Sequence, residues 1–301
     1  MLTISVVSDN TVSAADWRGI SQHLRGAQIT ECFASSGDGR LPGNCRAIVF
    51  VGLQPVEKIV IERALGAGSH VLLATDPCLS VADLQALSGV AQKSDLQFAV
   101  ANPDRYLASR QLIKQQIDSQ LSQLGLIRVH RWEPAREGCI LSVAGLPGPL
   151  VRDLDLVMWL AGESPQIVYA LDNSANRSTA AAGCHFQIHL GFARGMALID
   201  YSSRLPAGGG YHRVSVIGAT GAACADDQQN VQLLFRGGPP QAFQTGEGTR
   251  HLAILIQNFV DAIETGQELT TTVNAWTDVF HIVESVRQSL DTHRAIHRKG
   301  A

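Results

Sequence analysis

Two different sheets are predicted for this chain: a doubly wound parallel α/β sheet at the amino-terminal end, then an α+β region built on an open, mainly antiparallel sheet. Three observations predict them. Five apolar strand-like runs fall within the first 101 residues, interleaved with amphipathic helical patterns. From residue 166 onward, five runs alternate apolar and polar residues with little helix between them. The chain closes on two helical patterns, Arg250 to Glu264 and Val273 to Thr292. At 301 residues two domains are expected, 1–103 and 104–301, the closing helices belonging to the second.

In chain order, Leu2 to Val7 is the first strand, and Ser13, with Asp16 three residues on, starts a helix whose apolar side is Trp17, Ile20 and Leu24 before Gly26 stops it. Ile29 to Ala34 and Ala47 to Leu53 are further strands, the latter continuously apolar as buried parallel strands are. A helix from Val56 to Ala67, a strand from His70 to Ala74, a helix from Val81 to Gln92 and a strand from Leu96 to Ala101 complete this part. A long helix is expected from Asp104 to about Gln123, ended by Gly125, then a strand from Leu126 to Trp132. The alternating runs are Gln166 to Asp172, Cys184 to Leu190, Met196 to Ser202, His212 to Gly218 and Val231 to Arg236.

Hydrophobic residues make up 45% and charged ones 17%, enough apolar side chain for sizeable cores. With 24 basic and 27 acidic residues the net charge is -3, which gives no electrostatic footprint for nucleic acid or an anionic membrane. The six cysteines lack C-x-x-C or metal-ligand spacing and suit reduced thiols, the amino terminus lacks a signal-peptide pattern, and no run is long enough to span a bilayer; a cytoplasmic protein is expected.

The run L-V-R-D-L-D-L-V-M-W-L-A-G, Leu150 to Gly162, is a short, mostly buried helix by its apolar spacing. Arg152 and Asp155 share one of its faces, either as a charged pair presented to a cleft or as an ordinary surface ion pair. Cys184, His185 and His189 carry metal-ligand atoms, yet the run alternates as a half-buried strand does, so no metal is expected. P-A-G-G-G-Y-H around Gly208 suits a hairpin loop better than an anion cradle. Asn102, Asp104 and Arg105, where the fifth strand ends, either line a cleft or cap a helix through Asp104.

Four stretches, A-G-S-H-V-L-L-A-T-D-P from Ala67, R-Y-L-A-S-R-Q-L-I-K from Arg105, R-D-L-D-L-V-M-W-L-A-G from Arg152 and V-I-G-A-T-G-A-A-C-A-D-D from Val216, together with N-F-V-D-A-I-E-T-G-Q-E from Asn258, resemble the glucose-fructose oxidoreductase and inositol dehydrogenase family, Gfo/Idh/MocA, over nearly the whole chain. The resemblance implies a Rossmann-type NAD(P)-binding domain followed by an open-sheet domain that receives a sugar-like substrate and often mediates oligomers. The departures from the family pattern are specific. Its G-x-G-x-x-G turn, whose glycines let backbone approach a diphosphate, matches Ser8, Asn10 and Ser13, with Asp9 adding a negative charge. Its E-K-P tripeptide matches Thr75, Asp76 and Pro77, so the lysine position is an acid. Its acid-base histidine and the aspartate one turn later match Arg152 and Asp155, and arginine stays protonated at neutral pH. Asp76 and Arg152 are thus a candidate salt-bridged pair. Ser35 and Ser36 stand where an acid would select NAD.

Asp76, Arg152 and Asp155 are therefore the candidate catalytic positions, and Ser8, Asn10, Ser13, Ser35 and Pro77 the candidate cofactor positions. Two functions follow. The favoured one is a catalytically silent relative that binds a ligand or partner subunit, with no cofactor held tightly. The alternative is an NAD(P)-dependent oxidoreductase of a sugar or cyclitol using displaced groups. A homo-oligomer packed sheet to sheet is expected, with no nucleic-acid or membrane partner.

Overall fold

The computed structural model describes residues 1–9, 12–34, 41, 45–52, 56–75, 78–134, 145–173, 183–206, 208–227, 229–246, 248–267, 269 and 273–298. Its elements run β1 (Leu2–Ser8), α1 (Ala14–Gln22), β2 (Ala27–Ala34), β3 (Ala47–Gly52), α2 (Lys58–Gly66), β4 (His70–Thr75), α3 (Val81–Lys93), β5 (Phe98–Val100), α4 (Ala108–Ser119), β6 (Leu124–Pro134), α5 (Gly148–Ala161), β7 (Ile167–Asp172), β8 (His185–Gly191), β9 (Met196–Leu205), β10 (Tyr211–Gly218), β11 (Gly221–Asp226), β12 (Val231–Phe235), β13 (Gln241–Gln244), α6 (Arg250–Thr265), α7 (Val273–Thr292) and β14 (Ile296–His297). Chain contacts divide it into two compact units, Met1–Tyr106 with Glu247–Thr277, and Leu107–Gly246 with Asp278–Ala301.

The first unit holds a parallel sheet in the order β2-β1-β3-β4-β5. β3 and β4 are buried along almost their whole length, which is why both read as unbroken apolar runs. Capping boxes at Ser13 with Asp16 and at Ser80 with Asp83 start α1 and α3. One face of the sheet, with Ile4, Val49, Leu72 and Ala99, packs against Trp17 and Ile20 of α1 and against Leu252, Leu255, Ile256 and Phe259 of α6. This unit therefore differs from a block of residues 1–103: α6, expected among the elements of the second domain, completes the first core. Within 1–103, α1 is the helix on this face, and it leaves the inner side chains of β4 and β5 without cover unless another helix returns. The edge strand is also tied from later in the chain, since the Trp276 indole N–H donates to the Val100 carbonyl at 2.9 Å.

The second unit holds a nine-stranded sheet in the order β13-β12-β11-β10-β6-β9-β8-β7-β14, antiparallel except for the β6–β9 pair. The long helix expected from 104 to 123 is instead a 3-10 turn at Pro103–Tyr106 followed by α4. The Asn102 side chain accepts the Asp104 N–H at 3.0 Å, so Asn102 caps that turn rather than Asp104. Leu107 then turns extended (ψ 134) before α4 begins. Gly125 lies inside β6, and the chain reverses instead at Ser122, φ 56. The Gly208 loop is not a hairpin loop, because β6 lies between the strands it joins, β9 and β10. The run G-A-A-C-A-D forms β11, a strand without β-branched residues, whose inward Ala223 and Ala225 leave room for α4 above them.

Candidate functional site

In a parallel sheet of this kind, ligands enter a crevice beyond the strand carboxyl ends where the strand order reverses, here between β1 and β3. Ser8, buried, ends β1 opposite Val51 of β3. Asp9 follows, and its carboxylate reaches across to Gly52: a Cβ on Gly52 would lie 2.5 Å from Asp9 Cγ and 2.7 Å from each carboxylate oxygen. Gly52 has φ 134, so only glycine fits there on both counts. Ser13 is the N-cap of α1. Its hydroxyl accepts the Asp16 N–H at 3.2 Å and donates to Asp16 Oδ2 at 2.6 Å, and its own N–H reaches the same oxygen at 3.3 Å. The helix start is thus engaged by the chain's own side chains, and the described part of the turn presents acceptors where a phosphate needs donors. Asn10, Ser35, Asp76 and Pro77 lie outside the described residues, and with Asp76 the proposed pairing with Arg152.

In the second unit, α5 is buried from Gly148 through Val157. Arg152 is 7% and Asp155 1% exposed, which removes the surface-ion-pair reading of these two. The charge between them, Asp153, is fully buried and anchors a network that the sequence reading passed over. Arg131 of β6 donates to both Asp153 oxygens at 2.8 Å, a bidentate fork. His212 of β10 sets Nε2 3.3 Å from Asp153 Oδ1 and Nδ1 3.3 Å from Asp227 Oδ2. Arg110 of α4, fully buried, donates to the same Asp227 oxygen at 2.6 Å. Burial pushes the Asp153 carboxyl up, but the Arg131 charge and the His212 hydrogen bond outweigh it and hold the group below the ordinary carboxylate range. Arg131 and His212 share the inward faces of their strands with Val129 and Val214, two residues away, so a charge at an apolar strand position was the signal available in the sequence.

The remaining described candidates of the second unit lie on or next to β8. On β8, Phe186, Ile188 and Leu190 face inward while His185, Gln187 and His189 line the open face. On that face His185 and His130 each lie 3.5 Å from Asp200.

No protein-family model matches the sequence, and no curated protein matches it either. Solved structures do. The aldose-aldose oxidoreductase from Caulobacter crescentus, complexed with glycerol, is 15% identical with a TM-score of 0.78 over 99% of both chains. The UDP-N-acetylglucosamine 3-dehydrogenase GnnA from Acidithiobacillus ferrooxidans is 19% identical with a TM-score of 0.74, over 97% of this chain and 99% of that one. GenD2 from gentamicin A biosynthesis, in complex with NAD, is 17% identical with a TM-score of 0.76, over 99% and 97%. The chain therefore has the two-part Rossmann-type oxidoreductase fold of Gfo/Idh/MocA-type dehydrogenases.

Proposed function

We propose that this chain is a catalytically silent relative of the Gfo/Idh/MocA dehydrogenases, one that binds a sugar-like ligand or serves as a partner subunit without holding NAD(P) tightly. The observation that carries this reading is the Asp9 carboxylate laid over Gly52 at the strand-order reversal, where a dinucleotide would need glycine backbone and donors. Arg152 at the position of the family's acid-base histidine supports it, since a buried guanidinium cannot take a hydroxyl proton. NADH or NADPH titrated into the protein is expected to give no saturable fluorescence change below about 1 mM. Micromolar binding would overturn the reading.

The second reading, an NAD(P)-linked oxidoreductase of a sugar or cyclitol, is favoured by the similarity to GenD2, solved in complex with NAD. Under it Asp155 or Asp76 becomes the base. Oxidation of a polyol by the unaltered chain with NAD would decide for it.

The oligomer proposed is a pair of second units packed open face to open face. Register places Ile217, Leu126, Met196 and Ile167 in one row across that face, with Ile217, Met196 and Ile167 each at least 40% exposed. The face also carries both charge signs, Arg128 and Arg213 with Asp200 and Asp226, as a self-complementary contact requires. Light scattering is expected to return a dimer or larger species, and Met196→Arg with Ile217→Arg to shift it to monomer; a wild-type monomer at high concentration sinks the proposal. A cytoplasmic setting goes with this reading; the described cysteines are free thiols, and no described helix is long and apolar enough to cross a membrane.

A further inference from the structure

We infer that Asp9 determines which ligands the first unit's crevice admits, and that it bars diphosphate groups by charge; this rests on the reading that the crevice is the unit's ligand site. The residue's placement carries the inference. α1 leaves β1 toward β2 on one side and α2 links β3 to β4 on the other, so the chain parts at the carboxyl ends of β1 and β3. Ser8 pairs with Val51, and Asp9 and Gly52 are the next residue on each strand, flanking that parting. Cγ and both oxygens of Asp9 lie at nearly one distance, 2.5 to 2.7 Å, from the Cβ position Gly52 lacks, so the carboxyl group lies flat against the glycine.

A carboxylate laid against Gly52 at the strand ends puts a negative charge at the mouth of the crevice. It repels a phosphate at close range and welcomes ligands that bring donors, such as hydroxyls or a cationic group. Gly52 makes the arrangement possible: any side chain there would displace the carboxylate. Asp16, the next described acid along the chain, is held at the Ser13 cap, whereas Asp9 lies against Gly52 at the strand ends.

The test compares NADH binding by the wild-type chain, Asp9→Asn and Asp9→Gly, with thermal melting to show that each variant folds. Asp9→Asn keeps the side-chain shape against Gly52 and removes the charge alone. Both variants are expected to bind NADH at least about 100-fold more tightly than the wild type, the scale of relieving a like-charge contact. Variants that stay within about threefold of the wild type overturn the inference, whatever the wild type's affinity. Micromolar wild-type binding instead overturns the silent-relative reading, and leaves this inference standing only if the variants still bind more tightly by that margin.

Discussion

Arg131→Met is expected to destabilise the second unit by about 3–5 kcal/mol, the usual consequence of stranding one charge of a buried pair. The guanidinium is 8% exposed and its partner Asp153 wholly buried, so water cannot take over the lost fork, and the carboxylate must stay charged without it or take up a proton. Urea denaturation at pH 7 measures the loss. The double variant Arg131→Met, Asp153→Leu is expected to recover most of it, because the guanidinium and its fully buried carboxylate partner are removed together. The pH dependence has a definite sign. Asp153 in the folded chain sits below the ordinary carboxylate value of 3.8, so the stability it contributes is present above that value and is lost as pH falls from there through the folded one. Asp153→Asn should flatten this acid limb; an unchanged limb would mean that other carboxylates set it.

Phe259→Ala is expected to cost about 3–5 kcal/mol, as for other large buried aromatics cut to alanine. Phe259 is fully buried among the strands of the first unit although it lies 159 residues beyond the last of them, which ends at Val100. Hydrogen exchange provides the matching measurement: the amides of β1, β3 and β4 should lose protection in this variant while those of β6 and β9 keep theirs. If β6 and β9 lost protection equally, α6 would not be the first unit's own helix.

What could be read from the chain depended on whether the decisive interaction is local. The capping box at Ser13 needs only residues three apart, and the sequence showed it. The apolar runs of β3 and β4 showed their burial for the same reason, since a strand covered on both faces has no polar side to alternate with. β11 stayed hidden because alanines carry almost no strand preference and its pairing comes from β10 and β12 on either side.

The same division runs through the candidate sites. The absence of glycine from positions 8–13 and the arginine at position 152 were legible residue by residue. That Asp9 turns inward onto Gly52, 43 positions away, was not, since it needs the β1–β3 register. Nor was Asp153 distinguishable from Asp155 on one helix; what separates them is an arginine on β6 and a histidine on β10 brought beside the helix. The sequence by itself determined the alternation of elements and the capping box at Ser13, because each depends on neighbours within a turn or a strand. Tertiary structure alone decided that α6 closes the first core and which buried charges pair, because a buried charge is tolerated only beside partners that the chain supplies from distant segments.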